Sequence, residues 1–437
     1  MAVVSDAQAV ALNQTLEAAN PAVMSMLSER GRRIYFPKMG ILAQSAEARG
    51  KAINATIGTA LDEDGSPLCL PSIASQLNLP KGAAFPYAPS PGLPEIREQW
   101  ARMLLEKNPG LAGKATSQPV VSCALTHGLS MAAYLFCDAG DVLLTPDLYW
   151  ENYDLIFGVS FGGQLVTYPA FDAAGGFNLD GLRRAMAARK EKKLMIALNF
   201  PNNPAGYTLL EKEVPALKTL LLAEAKAGRQ LVVLLDDAYF GLVFEKGVYT
   251  QSLFADLCDA HENLLAVKLD GPTKEDYVWG FRVGFITFGV KGGTPALYQA
   301  LESKCAGAIR ATLSNVSLPA QSILLAAWRN PAYAAEKRRA YDLLKGRYEE
   351  IKRVLAAHPE YREEFEPLPY NSGYFMCVRL KRADPEKVRR MLLAEHSTGV
   401  INLCGILRLA FSATPTATLA TLFANLHAAC KQARTAA

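Results

Sequence analysis

Three short segments hold amide, carboxylate, phenol, amine and guanidinium groups in a fixed order. Asn199-Phe200-Pro201-Asn202-Asn203-Pro204-Ala205-Gly206 follows an apolar run. Alone it reads as a turn, since Asn, Pro and Gly all favour turns. Asp236-Asp237-Ala238-Tyr239-Phe240-Gly241 follows a second apolar run, and Asp270-Gly271-Pro272-Thr273-Lys274 a third, with Arg282 eight residues beyond Lys274. Taken singly, these are a turn, a helix cap or solvated acid, and a solvated lysine. Taken in order, they offer an amine that can form an imine with an aldehyde and a carboxylate for a protonated ring nitrogen. They add amide and phenol donors for a phenolate, and a forked cation for a phosphate. That combination is what pyridoxal 5'-phosphate requires of a protein.

The segments sit at the ends of expected strands. Val120–Leu125, Asp141–Thr145, Gly162–Tyr168, Leu194–Asn199, Leu231–Leu235, Leu264–Leu269 and Val283–Phe288 are short apolar runs. Helical patterns such as Ser130–Asp138 and Glu211–Ala227 alternate with them. This predicts a mostly parallel sheet buried on both faces. Carboxyl ends of such strands are where open α/β sheets bind ligands. The chain reads as helical up to about Gly50, and again over Ser322–Ala356. A strand at Tyr374–Leu380, a helix at Pro385–Glu395, a strand at Leu407–Ser412 and a closing helix at Ala417–Thr435 follow. The expected organisation is a helical N-terminal part of a small domain (1–52), a large cofactor-binding domain (53–320) and a small α+β domain (321–437).

Composition narrows the function. The 437 residues are half hydrophobic and one-fifth charged, the mix of a folded globular protein. Lys and Arg number 46 against 42 Asp and Glu, a net +4, so the dense basic footprint of a nucleic-acid binder is missing. No apolar run approaches the roughly 18–20 residues that span a bilayer. The first ten residues hold an Asp and no Lys or Arg, so no basic region of a secretory signal is expected there. Eight cysteines without a CxxC pair and five separate histidines give neither metal-ligand spacing nor a disulfide framework. We expect a cytoplasmic enzyme that binds no metal, no nucleic acid and no membrane.

The motifs together resemble a fold-type I pyridoxal-phosphate aminotransferase of class I, closest in pattern to the aspartate and aromatic amino acid enzymes. The resemblance runs from about Ile53 to Phe411. It implies a seven-stranded, mostly parallel large domain flanked by helices, a smaller α+β domain, and a homodimer with active sites shared across the interface. Asn203 in Asn203-Pro204-Ala205-Gly206 falls on the donor to the cofactor phenolate, and Asp236 and Tyr239 on the Asp-x-Ala-Tyr motif. Lys274 falls on the imine-forming lysine and Arg282 on the phosphate arginine. Asn54-Ala55-Thr56-Ile57-Gly58 resembles the segment whose glycine lies over the substrate. Tyr87, in Tyr87-Ala88-Pro89-Ser90-Pro91-Gly92, is similar to the tyrosine that reaches the neighbouring subunit's cofactor phosphate. Trp150-Glu151-Asn152-Tyr153 implies Trp150 as the stacking ring, with Tyr149 as the alternative. Arg310, in Arg310-Ala311-Thr312-Leu313-Ser314-Asn315, resembles an arginine for a side-chain carboxylate, and Arg408 the α-carboxylate arginine. Phe375 is similar to an aromatic residue facing the substrate.

Gly128-Leu129-Ser130 lies between an expected strand and helix, where backbone N–H groups meet phosphate. The family often has Ser where this chain has Gly271; Thr273 or Ser130 would supply the missing hydroxyl. Tyr153 and Leu198 stand where the aspartate enzymes have histidines beside the ring, and Asn202 where a His precedes the loop Asn. His127 reads as a loop residue. The implied reaction moves the amino group of aspartate or an aromatic amino acid to 2-oxoglutarate or another 2-oxo acid. A lyase or synthase of the same fold, and a non-catalytic cofactor-binding regulator, are the alternatives.

Overall fold

The computed structural model describes residues 6–37 and 40–435. Residues 1–5, 38–39 and 436–437 of the expected domains lie outside the described residues. The small N-terminal helices are separated by their own caps: α1 (Ala7–Ala19), α2 (Pro21–Met26) and α3 (Glu29–Arg33) start where the side chains of Asp6, Asn20 and Ser28 accept backbone N–H bonds, which ties up donors a helix start leaves open. A fourth helix, α4 (Ile41–Glu47), precedes the first strand.

Among the described residues thirteen strands follow in chain order: β1 Ile53–Asn54, β2 Val120–Ser122, β3 Val142–Pro146, β4 Gln164–Tyr168, β5 Lys193–Asn199, β6 Gln230–Asp236, β7 Leu264–Asp270, β8 Gly284–Gly289, β9 Phe365–Pro367, β10 Phe375–Leu380, β11 Thr398–Gly399, β12 Ile401–Leu403 and β13 Ile406–Ala410. Seven of them form one sheet in the order β2-β8-β7-β6-β5-β3-β4. Only β8 is antiparallel to its neighbours. Its central strands are buried on both faces, which explains why they read as continuous apolar runs rather than alternating ones. Against one face, Trp100 stacks on Phe285 at 4.4 Å between ring centres, and its indole N–H donates to Asp270.

The order β12-β13-β10-β9 makes a second, antiparallel sheet, packed with the helices Pro385–Glu395 and Leu419–Thr435. Strand β1 pairs with β11, and the backbone of Ala55 and Leu61 bonds to Ala410 and Ser412. The boundary expected at residue 53 therefore falls inside a pairing with the C-terminal part. That expected at 321 falls inside the helix Leu318–Trp328. The helix expected over 322–356 is two, Leu318–Trp328 and Tyr333–Ala357. The break is at Asn330-Pro331, because proline lacks the N–H an interior turn needs.

A second correction concerns the phosphate loop. Strand β2 ends at Ser122 and the helix begins at Ala124, running to Phe136. Gly128 is thus inside the helix rather than at its start. Its lack of a side chain serves close packing, since a Cβ there would sit 3.1 Å from Leu269 and 3.3 Å from the Ser122 hydroxyl. His127 lies in the same first turns, its Nδ1 accepting the Cys123 N–H.

Candidate active site

The parallel strands end together. Asn199 and Asp236, the last residues of β5 and β6, are register partners, and β7 ends beside them at Asp270. Asn199 donates to the Asp236 carbonyl at 2.7 Å and accepts the Asn203 N–H at 2.7 Å. Asn202 bonds Leu148 and Ala205. Those two asparagines fix the loop and leave the Asn203 side chain to face the cleft, where its Oδ1 accepts an Arg408 N–H at 3.0 Å. Gly206 closes the loop with φ 74°, and its backbone passes so near β10 that a Cβ would overlap the Phe375 carbonyl.

Asp236 is 3% exposed. Its carboxylate accepts the Tyr153 hydroxyl at 2.6 Å and the Ala238 N–H at 3.3 Å, and burial raises its pKa. The neighbouring Asp237 is different: it pairs with the buried Lys268 and accepts the Ser252 hydroxyl. An acid with a cation beside it is structural; Asp236 has two neutral donors and an open side.

Lys274 is held by its backbone. Tyr374 donates its hydroxyl to the Lys274 carbonyl at 2.7 Å. The next two residues are clamped, Glu275 between Lys107 and Lys337 and Asp276 by Trp328 and Tyr333. The amine is left over the Tyr239 ring, 5.2 Å from its centre. Burial, opposed by the nearby Asp236 carboxylate and aided by Arg282, drops its pKa to about 8.

The cleft is also lined by Ala124, Leu125 and Thr126, the first residues of the helix Ala124–Phe136, together with Arg282. The first N–H groups of a helix have no partner inside it and carry the positive end of its dipole. This is the correction to Gly128, Leu129 and Ser130: the helix start that faces the cleft is four residues earlier. Thr273 is also excluded as the hydroxyl, because it is buried and donates to the Val283 carbonyl. A serine at Gly271 is excluded by packing, since a Cβ there would lie 2.8 Å from Gly284 Cα and 3.0 Å from the Val283 carbonyl oxygen. Thr126, in the same helix start, is a hydroxyl that does line the cleft.

Over this floor lies Arg408 of β13. Its guanidinium donates to Asn203 and to the Thr56 carbonyl, both at 3.0 Å, and rests 4.1 Å above the centre of the Phe375 ring. Its Nε is buried with no hydrogen-bond partner. The cleft, about 370 Å³, is also lined by Ile41, Leu42, Ser45, Ile57, Gly58, Trp150 and Tyr239. Trp150 meets Tyr153 edge-on at 6.1 Å. Nine expected residues thus converge: Gly58, Trp150, Asn203, Asp236, Tyr239, Lys274, Arg282, Phe375 and Arg408. Two do not. Tyr87 is 89% exposed, and Arg310 is exposed and bonded to Ser314 at 2.7 Å; neither lines the cleft of its own chain. Sequence reasoning missed Asn199, Thr126 and the α4 residues as lining. Only Asn199, at a strand end beside the expected loop, carried a signal.

Residues 51–426 match the family described as aminotransferase class I and II. The chain belongs to that family. Among curated relatives, a probable aspartate/prephenate aminotransferase of Aquifex aeolicus is 28% identical over 259 residues, 59% of this chain and 60% of the relative. A probable N-succinyldiaminopimelate aminotransferase of Mycobacterium tuberculosis is 27% identical over 186 residues, 42% of this chain and 44% of the relative. The similarity to these relatives therefore spans less than two thirds of their length. Solved structures extend the likeness in fold. An aminotransferase of Anaerococcus prevotii superposes with a TM-score of 0.82 at 22% identity, covering 92% of this chain and 98% of the other. An aspartate aminotransferase of Thermus thermophilus with maleate gives 0.72 at 20% identity, covering 92% and 99%. No helix among the described residues is long and apolar enough to cross a membrane.

Proposed function

We propose that this family member is a pyridoxal 5'-phosphate-dependent aminotransferase, exchanging an amino group between an α-amino acid and a 2-oxo acid. One observation carries the reading: the amine of Lys274 and the carboxylate of Asp236, both without an ion-pair partner among the described residues, open into the same cleft as Arg408. The residues fit that cofactor. A buried acid with an open side suits a protonated ring nitrogen. A helix start with Thr126 and Arg282 suits a phosphate, and the cleft volume lies in the usual range for small ligands.

When bound, the cofactor supplies an aldehyde for the substrate amine and a ring that takes up the electron pair left at Cα. Asp236, positioned by Tyr153, keeps the ring nitrogen protonated. Asn203 accepts from Arg408 through Oδ1, so its Nδ2 is free to donate to the ring oxygen alongside Tyr239. Arg408 grips the α-carboxylate through its fork and sets the direction of the Cα–H bond. Lys274, neutral in an appreciable fraction near pH 8, takes the Cα proton and returns it. Trp150 walls the cleft and limits water.

The exposed face bearing Phe85 and Tyr87, 82% and 89% accessible in a single chain, supports a homodimer in which Tyr87 reaches the other subunit's cleft. The amino donor expected from the resemblance, aspartate or an aromatic amino acid, divides on whether Arg310 enters that cleft. The absence of a long apolar helix among the described residues fits a cytoplasmic enzyme. Purified protein reconstituted with pyridoxal 5'-phosphate is expected to show a visible absorption band that Lys274→Ala loses. Amino acid should bleach the band and a 2-oxo acid restore it. A band that survives Lys274→Ala refutes the reading; release of ammonia without need of an oxo acid assigns a lyase instead.

A further inference from the structure

The family match begins at residue 51, yet three residues before it line the cleft: Ile41, Leu42 and Ser45, all on α4. Two attachments place α4. At its start the Ile41 N–H donates to the Glu151 carboxylate at 3.0 Å, and Gly40 passes so close to that carboxylate that a Cβ would sit 2.7 Å from it. In its middle, Gln44 and Asn402 exchange two hydrogen bonds, 2.9 Å and 2.7 Å. Asn402 belongs to β12, whose Ile401 is the register partner of Arg408. The helix is therefore seated one strand from the carboxylate-binding arginine and joined to the loop that carries Trp150.

The roles already assigned use every cation among the described lining residues: Lys274 and Arg282 toward the cofactor, Arg408 toward the α-carboxylate. What remains on the α4 side is apolar or small, Ile41, Leu42, Ser45 and Ile57. A side-chain carboxylate placed there would lose water and gain at most the Ser45 hydroxyl and no cation from the described lining of this chain, which is costly.

Resting on the aminotransferase reading, we propose that α4 forms the side-chain wall of the substrate site, with Glu151 holding it in place, and that the site selects amino acids with uncharged, apolar side chains. Ile41 and Leu42 are specificity residues, and Glu151 is a positioning residue. In an apolar pocket one methylene changes discrimination by about tenfold or more, and leucine or phenylalanine reaches a wall that the alanine methyl does not.

The test uses holoenzyme and a series of amino donors, following bleaching of the visible band. Wild type is expected to favour leucine and phenylalanine over aspartate about tenfold or more in kcat/KM. Ile41→Ala and Leu42→Ala should lower kcat/KM for leucine and phenylalanine about tenfold more than for alanine. Leu42 is 64% exposed, so its substitution does not threaten the fold. Glu151→Ala should reproduce this pattern mainly as raised KM, and Glu151→Gln, which can still accept the Ile41 N–H, should restore it. Aspartate preferred by the wild type and lost in Arg310→Ala overturns the proposal while leaving the aminotransferase reading intact. Equal losses for alanine and leucine in the α4 variants overturn it as well. If no amino acid bleaches the band, the aminotransferase reading itself fails and takes this proposal with it.

Discussion

The charge state of Lys274 is the quantity on which the chemistry turns. Its amine sits in a buried cleft with Arg282 near it, and its pKa falls from 10.5 to about 8. At pH 7 about a tenth of such an amine is neutral, against about one part in three thousand at the ordinary value, a gain of about 300-fold in reactive species. Two substitutions separate the causes with opposite signs. Arg282→Gln removes a cation that disfavours the ammonium, so the midpoint should rise. Asp236→Asn removes the anion that favours it, so the midpoint should fall. Apoprotein labelled with a small neutral acylating reagent, with mass spectrometry following modification at Lys274 against pH, reads this without the cofactor. A wild-type midpoint near 10.5 would refute the reasoning, as would both variants moving the same way. Linkage supplies a check. The folded pKa lies below the unfolded one, so the unfolded chain binds more protons between about pH 8 and 10.5. This group's contribution to apoprotein stability therefore rises with pH across that window.

Three further substitutions test the geometry. Tyr153→Phe takes one of two donors from the buried Asp236 carboxylate; apoprotein stability should drop by about 1–3 kcal/mol in urea, and the dissociation constant for pyridoxal 5'-phosphate should rise. Gly271→Ser restores the residue common in the resembling family, yet it should destabilise by about 1–3 kcal/mol, because β7 and β8 leave no room for a Cβ; an equal or higher urea midpoint contradicts the packing argument. Arg408→Lys keeps the charge and loses the fork that bridges Asn203 and Thr56; kcat/KM should fall about tenfold to a hundredfold in steady-state assays.

The strands of the large sheet were legible because they are buried on both faces and flanked by Pro, Gly and Asn. Asp236 ends one such run, and Asn203 and Lys274 each follow the end of another by four residues, so the runs together with the order of the motifs located them. The start of the helix Ala124–Phe136 was not, because Gly128 looks like a connector; its packing against Leu269 is a contact 141 positions away in sequence that no local pattern announces. The bond from Tyr153 to Asp236 spans 83 residues and is equally silent. Helix α4 read as one more helical stretch, since nothing in its seven residues shows which face meets the cleft. Tyr87 and Arg310 were placed by resemblance, and within one chain they stay outside the cleft.

The pattern of charge around the cleft separates scaffold from chemistry. Lys268 is fully buried and lies between Asp237 and Asp270; that cluster ties the ends of β6 and β7 to one another. Glu275 and Asp276 are compensated by Lys107 and Lys337, so burial, which alone would raise the Glu275 pKa, is outweighed and it falls below the ordinary carboxylate value. Both clusters sit within a few residues of Asp236 or Lys274, and both are closed. A buried charge without a counterion costs several kcal/mol, so a fold keeps one only where surrounding structure holds it. Here the compensated pairs do that holding: they fix the backbone on either side of an acid and an amine that feel one another's charge but form no ion pair. Removing Lys337 should therefore disturb Lys274 through its backbone even though the two amines play no common chemical role. Under the proposed function, a ligand carrying both a cationic ring nitrogen and an electrophilic carbon would meet these two open groups, the acid with the one and the amine with the other.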